Sequence, residues 1–119
     1  MSAVSANPLV TGPVPGRLAA LNDLLRRTGL GGRVMVTAGV AALPEADRAA
    51  IIGAVRAFDA FDTDNDPHGE HDFGAVEVGG MRCFWKVDAY DPDLRFASPD
   101  PADPAVTVRV LTIMLPEEY

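Results

Sequence analysis

The chain has one cysteine, Cys83, in 119 residues. This excludes an intramolecular disulfide and any zinc cage built from several thiolates. Long apolar runs are missing too. Nothing approaches the roughly 20 apolar residues that a membrane-spanning helix needs, so no membrane partner is expected. The N-terminal "MSAVSANPLVTGPVPGR" has neither a basic leader nor a continuous apolar centre, and does not read as a secretory signal. A cytoplasmic location is the expectation that follows. Positive charge is scarce where negative charge is dense. Of 17 Asp and Glu residues, six lie from Asp59 to Asp72 and five from Asp88 to Asp103, and Arg95 is the only Lys or Arg across both stretches. With a formal net charge of −7, direct nucleic-acid binding is not expected.

What is present suits one folded domain. Nearly half of the residues, 48%, are apolar, and a chain of this length can bury a core without cross-links. Residues 1–16, rich in Pro, Gly and small side chains, read as a flexible N-terminal arm, and residues 17–119 as a single domain. "GRLAALNDLLRRTGLGG" predicts a helix with Leu18, Leu21 and Leu25 on one face. Gly29 is its natural stop, and Arg26 and Arg27 lie beside its own carbonyl end. "RVMVTAGV" alternates, so Val34, Val36, Ala38 and Val40 would share one side of a strand. "LPEADRAAIIGAVRAFDAF" predicts a second helix, entered at Pro44, with Ile51, Ile52, Val55 and Phe58 turned inward.

The strongest local signal is "DFGAVEVGGMRCFWKVDAYD", two strand-like runs around Gly79-Gly80, a two-residue turn that needs positive φ. That turn sets Val78 against Met81, Glu77 against Arg82, Val76 against Cys83 and Ala75 against Phe84. Val76, Val78, Met81, Cys83, Trp85, Val87 and Ala89 then face inward, and Glu77, Arg82, Phe84, Lys86, Asp88 and Tyr90 outward. Carried further, the register sets Phe73 opposite Lys86 and His71 opposite Asp88, unless Gly74 hosts a bulge. "VTVRVLTIML", apolar on both faces apart from Arg109 and two threonines, reads as a central strand. The order α-β-α-β-β-β implies an α+β fold, with two helices packed on one face of a mainly antiparallel sheet of about four strands.

Several motifs in order carry a family resemblance: "NDPHGEHDFG", "FWKVDAYD", "SPDPADPAVTVRVLTIML" and "EEY". From about Leu21 to Tyr119 the chain resembles an uncharacterised bacterial family, domain of unknown function 3768. The resemblance implies no catalytic residues. Because many members are encoded on plasmids and other mobile elements, it implies by analogy an accessory role in plasmid upkeep, conjugation or evasion of host defence.

The chemistry to weigh is concentrated in "FDTDNDPHGEHDFG". Asp62, Asp64 and Asp66 have the spacing that opens a calcium loop, but Pro67 stands where Gly is required and Phe73 where Glu is required, so an EF-hand is rejected. His68-Gly69-Glu70 matches half of a zinc-deaminase motif whose cysteine half is missing. His68, His71 and Asp72 could still form a three-ligand metal site. An alternative catalytic reading is a small acid–base or metal-assisted hydrolase centred on His68, Glu70, His71 and Asp88. Against it, no Ser or Cys nucleophile lies nearby in sequence, and a His71–Asp88 pair is more commonly a structural hydrogen bond. The favoured reading is a non-enzymatic protein without cofactor that binds another protein, one with a basic surface. The carboxylates Asp62, Asp64, Asp66, Glu70, Asp72 and Asp88 would steer it, with Phe84 and Tyr90 as anchors and Lys86 part of the same partner-binding surface. A homodimer is a further arrangement to test.

Overall fold

A computed structural model describes residues 16–119. The expected arm therefore lies outside the described residues, apart from Gly16. Helix α1 (Arg17–Thr28) leads to strand β1 (Arg33–Val36), a short helix α2 (Ala38–Ala41) and helix α3 (Glu45–Ala57). After the acidic stretch come β2 (Phe73–Val78), β3 (Met81–Tyr90) and β4 (Val108–Met114), with 3-10 turns at 104–106 and 116–118. The four strands form one sheet in the order β1-β4-β3-β2.

The glycine turn builds the hairpin as its residues require. Gly79 and Gly80 have φ of 57° and 79°, and β2 pairs antiparallel with β3 from Val78–Met81 out to Phe73–Lys86. Pairing aligns side chains on each face, and the inner face meets the helices. Leu25 of α1 and Ile51 and Val55 of α3 share one apolar core with Val76, Cys83, Trp85, Val87, Leu111 and Ile113. Each of the larger aliphatic groups contributes about 1.5–3 kcal/mol by leaving water. β4 is central, as its apolar sequence predicts, flanked by β1 and β3. Burial also raises the Cys83 thiol above its ordinary pKa, which keeps it protonated and unreactive.

Three details differ from expectation. The sheet is mixed: β3 and β4 are antiparallel, whereas β1 runs parallel to β4. No tight turn joins β1 to β4, so nothing local fixes their relative direction. The first strand also stops at Val36, and Ala38 and Val40 belong to α2. Small residues fit either period, and here the Glu118 carboxylate accepts from the Thr37 hydroxyl (2.5 Å) and from the Gly39 N–H (2.9 Å). The buried face of α1, finally, is Ala19, Asn22, Leu25 and Arg26 rather than a leucine stripe. Arg26 does not serve its own helix end. Its Nη1 donates to the carbonyls of Val55 (2.9 Å), Arg56 (3.2 Å) and Phe58 (2.7 Å), closing the end of α3.

Candidate functional site

The acidic stretch between α3 and β2 is built by its own carboxylates. Asp62 accepts from the N–H groups of Asp64 (2.8 Å) and Asn65 (2.9 Å), while Asn65 Nδ2 donates to Ala60 O (2.8 Å). Asp and Asn form such turns because their short side chains reach the backbone two or three residues on. Asp66 repeats the device, accepting from the N–H groups of Glu70 (3.1 Å) and His71 (3.3 Å). Gly69 and His71 both take positive φ, 64° and 56°. A histidine there costs strain, which its side-chain contacts must offset.

Those contacts lead to α1. His71 Nδ1 lies 3.0 Å from both Asp23 oxygens, and Nε2 faces Asp66 Oδ2 at 3.6 Å. Asp23 in turn accepts from Arg26 Nη2 at 2.9 Å. The rings are layered: His71 stacks on Phe61 with centroids 3.9 Å apart and planes 1° from parallel. Arg26 Cζ lies 5.5 Å from the Phe61 centroid and 5.1 Å from that of Trp85. These faces partly compensate a guanidinium with no solvent exposure. Burial lowers the Arg26 pKa first, opposed by its bond to Asp23.

A second chain of bonds runs alongside. Asn22 Nδ2 donates to Glu70 O (2.9 Å), and Asn22 Oδ1 accepts from Arg109 Nε (2.8 Å); Arg109 Nη2 donates to Pro101 O. Adjacent residues of α1, Asn22 and Asp23, thus fasten adjacent residues of the loop, Glu70 and His71. Sequence reasoning missed all of Asn22, Asp23 and Arg26. The available signal was Asn22 and Arg26 sharing the Ala19 face at helical spacing.

His71 accordingly does not pair with Asp88. The ladder ends at Phe73, Val87 N–H donates to Asp72 O (2.9 Å), and the positive φ turns the His71 ring toward α1. Asp88 pairs instead with Lys86 on its own strand at 3.1 Å, a bond that raises the Lys86 pKa. His68 is exposed and stands outside the cluster. Among the described residues, no three His, Cys, Asp or Glu side chains converge as a metal would require, and His68, His71 and Asp72 are not brought together.

The other partner-binding candidates sort by exposure. Asp64 is exposed, whereas Glu70, Asp72, Phe84 and Tyr90 are half-buried. Phe84 lies under Tyr119, whose ring is edge-on at 5.7 Å from Phe84 and 5.5 Å from Phe73. Tyr119, 75% exposed, is the open ring of this face and was not anticipated. Arg82 lies over Phe84 at 5.3 Å and borders a shallow depression of about 250 Å³ with Ala75, Val76 and Glu77.

Asp72 joins the loop to the hairpin face. Its carboxyl is held above the ordinary value by burial first, and the charges of Asp66 and Asp88 add to the shift. A raised carboxyl pKa in the folded chain favours folding at low pH, and that contribution is lost as pH rises through the folded value. Asp72→Asn should therefore raise the melting temperature at neutral pH. The gain should vanish as pH falls toward 3.8, the unshifted value. Thermal unfolding of both proteins across that range checks the sign.

No helix among the described residues is long and apolar enough to cross a membrane. No curated protein and no solved structure matches the chain. A family match covers residues 36–118, leaving α1 and its Asn22, Asp23 and Arg26 ahead of the matched segment. The chain belongs to the family described as "Protein of unknown function (DUF3768)".

Proposed function

We propose that the protein is a non-enzymatic cytoplasmic accessory factor that binds another protein through the Asp59–Asp72 stretch and the outward face of the β2–β3 hairpin. The observation that carries this reading is the hydrogen bond from Val87 N–H to Asp72 O (2.9 Å), which ties the end of the acidic stretch to β3 beside Asp88. The two sets of carboxylates are therefore close enough to act as one acidic surface. Fastening the loop to α1 lowers the ordering cost of binding, the usual gain from preorganisation. A partner of matching chemistry has a basic, nucleic-acid-binding groove, in which these carboxylates stand in for phosphates. Tyr119, with Phe84 and Phe73 behind it, supplies an apolar contact beside the charges. An inhibitor or mimic of this kind agrees with a mobile-element setting.

Charge reversal tests the reading. Asp62 and Asp66 hold the loop together, so the informative variant changes exposed carboxylates, Asp59→Lys with Asp64→Lys. Capture of partner from a lysate of the native host should fall about tenfold or more, with most of the loss in the association rate at low salt. Unchanged capture by a folded variant would sink the proposed surface.

The acid–base alternative draws on one observation, the His71–Asp23 contact at 3.0 Å. A general base must offer a ring nitrogen to substrate. Here both nitrogens face carboxylates, which favours a clamp over catalysis. Elemental analysis of protein purified without chelator covers the metal-assisted variant, for which a stoichiometric transition metal is the supporting result.

A further inference from the structure

The sheet edge opposite β2 is formed by β1 and takes no part in the proposed acidic surface. Among the described residues, β1 has β4 as its only strand neighbour. Thr37 N–H donates to Ile113 O at 3.0 Å. By strand alternation, Arg33 and Met35 also turn their backbone groups toward β4, whereas Val34 and Val36 turn theirs to the open edge. Edge strands are commonly guarded by charge, proline or a bulge. This one carries Arg33 at one end and apolar side chains on both faces. Val34 is 41% and Met35 55% exposed, with Leu24 at 43% and Leu30 at 64% toward the α1 end.

We propose that β1 pairs antiparallel with β1 of a second copy of this chain across a two-fold axis at Met35, making one continuous sheet. Three features select a second copy over an unrelated strand. The free backbone groups sit two residues apart, so an axis at Met35 sets Val34 of each copy against Val36 of the other as a hydrogen-bonded pair. The axis also sets Met35 against Met35, apolar to apolar, in a close non-hydrogen-bonded pair. Charge agrees as well. Arg33 comes opposite Thr37 of the second copy, the residue whose hydroxyl holds the Glu118 carboxylate at 2.5 Å. That register brings Arg33 toward the Glu118 carboxylate of the other copy, and an isologous contact makes this attraction twice. Finally, β2, which follows the acidic stretch, is the opposite edge of the sheet. The two-fold thus keeps the β2 edges, which the acidic stretches enter, at the far ends of the joined sheet, which limits repulsion between chains of net charge −7.

Light scattering on the full chain over a concentration series should give twice the 12.6 kDa chain mass, with dissociation on dilution. Met35→Lys sets like charges against each other at the axis and should raise the dimer dissociation constant at least about tenfold without changing the circular dichroism. Met35→Cys should cross-link to a covalent dimer under mild oxidation, since Cys83 is buried and does not compete. A monomer at every concentration overturns the proposal. So does a dimer that survives Met35→Lys and fails to cross-link. Slow amide exchange at Val34 and Val36 in a monomer also overturns it, because residues of the same chain then cover the edge.

Discussion

Replacing Arg26 by methionine is expected to cost about 3–5 kcal/mol, the usual result of removing one partner from a buried charged network. The guanidinium is fully buried and donates to Val55, Arg56 and Phe58 carbonyls and to Asp23. Methionine fills the space and removes the guanidinium donor from each of these acceptors, leaving the Arg56 and Phe58 carbonyls without it. Domains of this size are stable by only about 5–15 kcal/mol, so the variant should be marginally folded. Lysine is no remedy. It keeps the charge but lacks the planar fork that reaches several acceptors at once, so Arg26→Lys should also lose a large part of the stability. Urea denaturation measures both. A loss below about 1 kcal/mol for methionine would mean that the network contributes little.

The second large effect is expected at Gly74. A β-carbon built there falls 2.6 Å from Trp85 Nε1 and 2.7 Å from two further indole atoms. Trp85 has no exposed surface and is boxed in by Phe58, Phe61 and Arg26. It cannot yield cheaply, so Gly74→Ala should destabilise by about 3 kcal/mol, the upper part of the usual overpacking range. Its near-ultraviolet circular dichroism should change with the displaced indole. Ala75→Gly, one residue along on the outward face, should cost only about 1 kcal/mol. Equal effects at the two positions would contradict the inward placement of Gly74.

These two residues mark how far the sequence was legible. Around Gly79-Gly80 it was fully so, because a two-residue turn and a period of two leave one register, and the pairing holds out to Phe73–Lys86. Legibility ended just beyond, where the positive φ of His71 reverses the direction of its side chain. Extrapolating a ladder cannot foresee a residue whose conformation is set by a helix some fifty positions earlier in the chain. Arg26 failed for a related reason. Helical arginines near a C-terminus are ordinarily solvated and complement their own carbonyls, whereas this one serves α3. The parallel direction of β1 had no local determinant at all. The acidic stretch itself was evident as composition, but not its division into loop-building carboxylates, Asp62 and Asp66, and exposed ones that build no turn, such as Asp64.

Everything proposed for the acidic surface depends on the loop being held to α1 by Asn22 and Asp23. Amide hydrogen exchange at Glu70 and His71, compared between the native chain and Asp23→Ala, reads that attachment directly. The N–H groups bound to Asp66 should exchange slowly in the native chain and at least about tenfold faster in the variant, a drop of roughly 1.4 kcal/mol in local opening free energy, while β3 amides stay protected. Fast exchange at both residues in the native chain would contradict the account, since the carboxylates would then sit on a loop with no fixed place.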